Sequence, residues 1–160
     1  MNPSFREILE LLNKYQVEYI VVGGVAAVIQ GAPVTTFDLD ALVRINEENA
    51  TRLAAALEDL DARYREHDST IRPTPEDILA GGHLLLITRA GPLDVLGFIG
   101  EQIRYEDLIE AAPEVEMSIG KFRVLGLEEL IRQKRATDRP KDRAVLELLE
   151  EVWRRRRDSD

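Results

Sequence analysis

Apolar positions recur along this chain in blocks whose period switches between helical and alternating. Phe5, Ile8, Leu9, Leu11 and Leu12 fall at helical spacing behind Ser4, and Glu7 stands three residues after that serine in a capping-box pattern. A first helix is therefore expected over about 5–15. The β-branched and aromatic run 17–22 reads as a buried strand, broken by Gly23-Gly24. A short helix is expected over 25–30, ended by Gly31 and Pro33. The next strand is expected over about 36–43, with Phe37, Leu39, Ala41 and Val43 on one face and Thr36, Asp38, Asp40 and Leu42 on the other. Asn46 is placed to cap a helix over about 47–60 with Leu53, Ala54, Leu57 and Leu60 inward. Residues 61–74 are polar and show no period.

Downstream, Pro75-Glu76-Asp77 has the composition of a first helical turn, and Gly81-Gly82 ends that helix. Runs 83–89 and 93–98 read as strands of a hairpin turning at Ala90-Gly91-Pro92. A short acidic helix over 105–112 is followed by a small hairpin, 115–118 and 121–125, around Ile119-Gly120. Two helices, 127–137 and 140–157, complete the pattern. The predicted class is α/β in the α+β sense, a mixed sheet flanked by helices with a C-terminal helical pair. One domain over 1–160 is expected, with a core over about 5–125 and the last two helices over about 127–157.

Composition narrows the function classes. The 44% hydrophobic content suits a globular core, and an aromatic content of 6% argues against a base-stacking platform. With 21 basic and 30 acidic residues the net charge is −9, which repels nucleic acid unless a local basic patch overrides it. No cysteine is present, so disulfides and thiolate metal sites are excluded. The N-terminus lacks a signal-peptide pattern, and no apolar run approaches the roughly 18 residues of a membrane span, so a cytoplasmic protein with no membrane partner is expected.

The candidate chemistry lies around the diglycine. Asp38 and Asp40, two apart on a strand, leave it on one face with Cβ atoms about 7 Å apart. Two such carboxylates repel unless a cation lies between them, and Mg²⁺ is held by carboxylates together with substrate phosphates. Asp94 interrupts the apolar run of Leu93, Val95 and Leu96, where a buried charge needs a partner, and a metal shared with the first two aspartates is one. Alone, Asp-x-Asp also fits a solvent-facing strand edge. Gly23-Gly24 fits either a tight strand-to-helix turn or a bare backbone that a triphosphate approaches.

Together, Gly23-Gly24, Thr36, Asp38-x-Asp40 and Asp94 resemble the nucleotidyltransferase superfamily that shares its palm fold with DNA polymerase β. Within it the chain most resembles the abortive-infection toxin-like nucleotidyltransferases of type IV toxin–antitoxin systems and their relatives. The run from Leu125 to Asp142 is similar to their second signature, a lysine-bearing helix, an Arg-Pro-Lys-Asp turn and another helix. The resemblance implies transfer of a nucleoside monophosphate from an NTP, such as ATP, to an acceptor hydroxyl on RNA, protein or a small molecule. Asp38, Asp40 and Asp94 would be the catalytic metal ligands for two Mg²⁺ ions, with Asp94 on the acceptor side. Gly23, Gly24 and Thr36 would hold the β- and γ-phosphates, and Lys134 would meet the triphosphate with support from Lys141 or Asp142. A cognate antitoxin-like protein is an implied partner.

Other features carry less. Lys134 also suits an ordinary solvated helix position. His67 and His83 have no metal-ligand spacing, and His83 reads as the start of a strand. Arg154 to Arg157 suits the negative end of a helix or, alternatively, contact with RNA phosphates; Trp153 beside it suits packing. The small size of the chain keeps a second function open, a non-catalytic nucleotide- or partner-binding module on the same fold.

Overall fold

The structure is a computed structural model that describes residues 3–66 and 70–159. Among the described residues, seven strands form one mixed sheet in the order β3-β4-β5-β2-β1-β7-β6. The helices are α1 (Pro3–Lys14), α2 (Gly23–Ile29), α3 (Glu47–Asp59), α4 (Pro75–Leu79), α5 (Tyr105–Leu108), α6 (Leu127–Thr137) and α7 (Pro140–Ser159). The strands are β1 (Tyr19–Val22), β2 (Leu39–Val43), β3 (Arg63–Tyr64), β4 (His83–Thr88), β5 (Gly91–Leu96), β6 (Glu114–Met117) and β7 (Gly120–Val124). The expected α/β class with a mixed sheet and a C-terminal helical pair is the fold observed.

All four residues of β1 are buried, which suits a strand at the centre of the sheet. It runs antiparallel to β2 and parallel to β7, while β2 runs parallel to β5. Helix α2 packs on β1, β2 and α6, and α6 packs on α7, so the C-terminal pair lies next to the first strand-to-helix turn. Leu39, Leu93 and Leu86 form one fully buried row across β2, β5 and β4, and Leu42 is fully buried on the opposite face. Asn46 caps α3 as expected, its side chain accepting from the Asn49 amide. Asn49 itself is buried and bonds to the backbone of Glu18 and Arg44, which ties α3 to the outer ends of β1 and β2.

Several expectations are corrected. Helix α1 starts at Pro3, so Ser4 lies inside it rather than at its cap, and the side chain of Ser4 is outside what is described, as is His67. Helix α2 begins at Gly23 itself, two residues before the expected start, and Gly23 turns the chain into it with a φ of +66°, which suits a glycine. Strand β2 begins at Leu39, so Asp38 precedes it and Phe37 is not in the core; its side chain is 77% exposed. Alternation was extrapolated past the point where the neighbouring strand β1 ends: Val22, its last residue, already faces Asp40. The unplaced region supplies β3 and the Thr74–Asp77 capping box of α4.

Candidate active site

Register brings the aspartates together. β2 and β5 are parallel with Asp40 beside Asp94, and Asp38 leads into β2 one turn of pleat earlier. Asp38, Asp40 and Asp94 each offer an oxygen within 4.8 Å of the others. Asp40 is the one residue of β2 that is not fully buried, so the sheet opens to solvent at this point.

Burial raises the Asp40 pKa to about 7, and the charge of Asp94, a hydrogen bond shared with it and the charge of Asp38 push the same way; Lys134 opposes them. The cluster thus brings three carboxylates together in a partly buried place, with Arg65 and Lys134 as the nearby cations. Its donors are all oxygen, the set a hard divalent cation takes, and the repulsion among them is what such a cation would relieve. The residues fit Mg²⁺.

The diglycine has a steric reason as well. A Cβ on Gly23 would lie 2.1 Å from Asp40 Oδ2, and one on Gly24 would lie 2.6 Å from Thr36 Oγ1. Both glycines let the start of α2 approach the acidic strand closely. The Thr36 hydroxyl donates to the Asp38 carbonyl at 3.1 Å and so shapes the turn that delivers Asp38.

Lys134 is not an ordinary solvated lysine. Its side chain is 27% exposed and donates from Nζ to Asp142 at 3.1 Å. It lines a cavity of about 220 Å³ with Gly23, Asp40, Gln133 and Thr137, walled by Leu96, Ile99 and Leu130. Asp142 is buried beneath Lys134 as its hydrogen-bond partner, while Lys141 is exposed. The site also contains a residue that sequence reasoning missed: Arg65 donates from Nη2 to Asp94 Oδ1 at 2.8 Å. Its segment shows no hydrophobic period, so nothing local marked it.

The remaining features have structural partners. His83 meets the Phe98 carbonyl through Nε2 at 3.0 Å at the end of the β4–β5 hairpin. Arg154 and Arg155 pair with Glu151, Arg156 with Gln30, and Arg157 stacks on Trp153. Among the described residues, no helix is long and apolar enough to cross a membrane.

No protein-family model matches the chain, and no curated protein matches it in sequence. Solved structures share its fold. The lincosamide antibiotic adenylyltransferase LnuA, in a lincomycin-bound structure, superposes with a TM-score of 0.66 at 15% identity, over 95% of this chain and 98% of that one. A candidate nucleotidyltransferase from Thermotoga maritima matches with a TM-score of 0.57 at 19% identity, over 89% and 88%. The antibiotic-resistance factor ANT(2'')-Ia matches with a TM-score of 0.57 at 16% identity, over 99% and 96%. The chain thus has the nucleotidyltransferase fold, and its extent is that of these neighbours.

Proposed function

We propose that this protein is a Mg²⁺-dependent nucleotidyltransferase that moves a nucleoside monophosphate from an NTP to an acceptor hydroxyl. The observation that carries this reading is the convergence of Asp38, Asp40 and Asp94 within 4.8 Å on a nucleotidyltransferase fold. In the reaction the acceptor oxygen bonds to the α-phosphorus, the bond to the β-phosphate bridge breaks, and pyrophosphate leaves. Bound Mg²⁺ supplies positive charge to the reacting phosphates and the attacking oxygen. Asp38 and Asp40 would hold it together with Asp94. Asp94 stands on the acceptor side and takes the hydroxyl proton. The backbone at Gly23 and Gly24 leaves room for the β- and γ-phosphates. Thr36 joins them only if its hydroxyl releases the Asp38 carbonyl. Lys134 faces the triphosphate from α6, held by Asp142.

The favoured acceptor is a hydroxyl-bearing small molecule, because the neighbours of matching extent include an adenylyltransferase seen with its antibiotic. A second reading keeps the chemistry but gives it an RNA or protein acceptor and an antitoxin-like partner. The Lys134–Asp142 pair favours it, since it joins the helix and turn that resemble the toxin-like signature. Incubation with each α-labelled NTP, Mg²⁺ and fractionated lysate tests both: label in the small-molecule fraction supports the first, label in RNA or protein the second. Asp38→Ala and Asp40→Ala should each lower transfer by about 10³-fold or more, since they remove ligands that stabilise the transition state. A wild type that binds neither Mg²⁺ nor NTP in calorimetry overturns the proposal. NTP binding without label on any fraction would leave a nucleotide-binding module.

A further inference from the structure

Arg65 follows β3 and extends its pairing by one residue, its amide donating to the Leu85 carbonyl at 2.9 Å. Leu85 pairs with Asp94 across β4 and β5, and Asp94 pairs with Asp40 across β5 and β2. One row across the sheet therefore reads Arg65, Leu85, Asp94, Asp40, and side chains in such a row leave the same face. Arg65 stands two strands, about 9–10 Å, from Asp94, a span that a long guanidinium side chain can bridge. It does so with two anchors. Nη1 donates to the Leu86 carbonyl at 3.1 Å, and Nη2 donates to Asp94 Oδ1 at 2.8 Å. Both partners are mostly shielded, with side chains 28% and 15% exposed.

We infer that Arg65 is the positioning residue for the acceptor-side carboxylate: it ties one oxygen of Asp94 and keeps the other for the shared metal position. This rests on the nucleotidyltransferase reading. Once Asp40 is ionised, as a bound divalent cation requires, the hydrogen bond it shares with Asp94 is lost, Asp40 and Asp38 both repel Asp94, and the guanidinium opposes rotation of its carboxylate away from them. A guanidinium fixed on a backbone carbonyl resists that rotation because its two nitrogens lie in one rigid plane. Lysine brings a charge but no such fork, so it substitutes only in part. Partners that orient metal ligands in this way are typically worth about 10–100-fold in metal affinity or activity.

Mn²⁺ titration of the full chain with a non-hydrolysable NTP analogue, read by calorimetry and electron paramagnetic resonance, tests this. Wild type should bind two ions, and Asp94→Ala identifies the one that depends on Asp94. Arg65→Ala should weaken that same ion about 10–100-fold and leave the other within about 3-fold, with Arg65→Lys recovering part of the loss. In turnover the variant should lose kcat and keep the KM for NTP. Arg65→Gln, which retains the side-chain stem, provides the same comparison if the alanine variant does not fold. Unchanged ion binding in these variants overturns the inference, and so does tighter binding, which would make Arg65 a mere competitor of the metal. A wild type that binds no Mn²⁺ sinks the nucleotidyltransferase reading itself, whereas normal wild-type binding with unaffected variants sinks only the role of Arg65.

Discussion

Asp40 concentrates the conflict in this site. It sits in the middle of the sheet, 2.1 Å from where a Gly23 Cβ would be, with two other carboxylates within 4.8 Å. Burial and the neighbouring carboxylates raise its pKa to about 7, so folding is easier with the proton on. A carboxyl whose folded pKa is raised adds stability below its unfolded value, near 3.9, and loses it as pH rises through about 7. The isosteric Asp40→Asn removes that loss. It should match wild type near pH 4 and exceed it at pH 8 by at least about 1 kcal/mol, or roughly 2–4 °C in Tm for a chain of this size. Thermal melts without divalent cations at the two pH values check this; equal Tm values at pH 8 would show that the carboxylates do not strain the fold. At this level much was legible: the glycine pair stands out because it breaks an apolar run, and the aspartates because carboxylates are costly in or beside buried strands. Phe37 was misread, since alternation says nothing about where a strand's neighbour stops.

The α6–α7 pair owes its geometry to the turn between them. Asp138 ends α6 in the left-handed conformation, with a φ of 46°, and Pro140 opens α7. Asp142, 1% exposed, accepts from Lys134 at 3.1 Å and Arg139 at 2.7 Å. Burial pushes its carboxyl pKa up, but hydrogen bonds from Arg139, Lys134 and Thr137 outweigh burial and hold it below the usual carboxylate range. Its stabilising contribution is thus present above the unfolded pKa and disappears as pH falls through the folded one. Asp142→Ala should cost about 1–3 kcal/mol at pH 7, less than a fully buried pair because Lys134 and Arg139 remain partly solvated. The difference from wild type should shrink steadily below pH 4 in urea unfolding. The same variant should weaken NTP binding, because Lys134 loses its tether; unaltered binding would remove Asp142 from the site. The helix pair was readable from the sequence, with Pro140 near the start of its second member. That the lysine faces Asp40 depends on how α6 lies against α2.

For the molecule as a whole, the site is a junction between parts distant in sequence: the α2 turn, β2, β5, the segment after β3, and α6. A ligand that bridges these parts should stabilise the entire fold through binding linkage. Mg²⁺ with a non-hydrolysable NTP analogue at about 100 times Kd should add about 2.7 kcal/mol, or roughly 5–10 °C in Tm. The gain should vanish in Asp38→Ala. A full shift in that variant would place nucleotide binding elsewhere on the protein.

Most helices and strands, the mixed-sheet class and the three aspartates as candidates follow from local patterns: period, capping, and charge placed where burial forbids it unless it is used; β3 and the convergence of the aspartates do not. Those signals act over a few residues and survive without knowledge of the fold. Strand order, the row from Arg65 to Asp40 and the Lys134–Asp142 contact depend on register between segments tens of residues apart, which no local period encodes. Arg65 shows the difference. In sequence it is one arginine in a polar stretch, and only the pairing of β3 with β4 and of β4 with β5 places its guanidinium on Asp94.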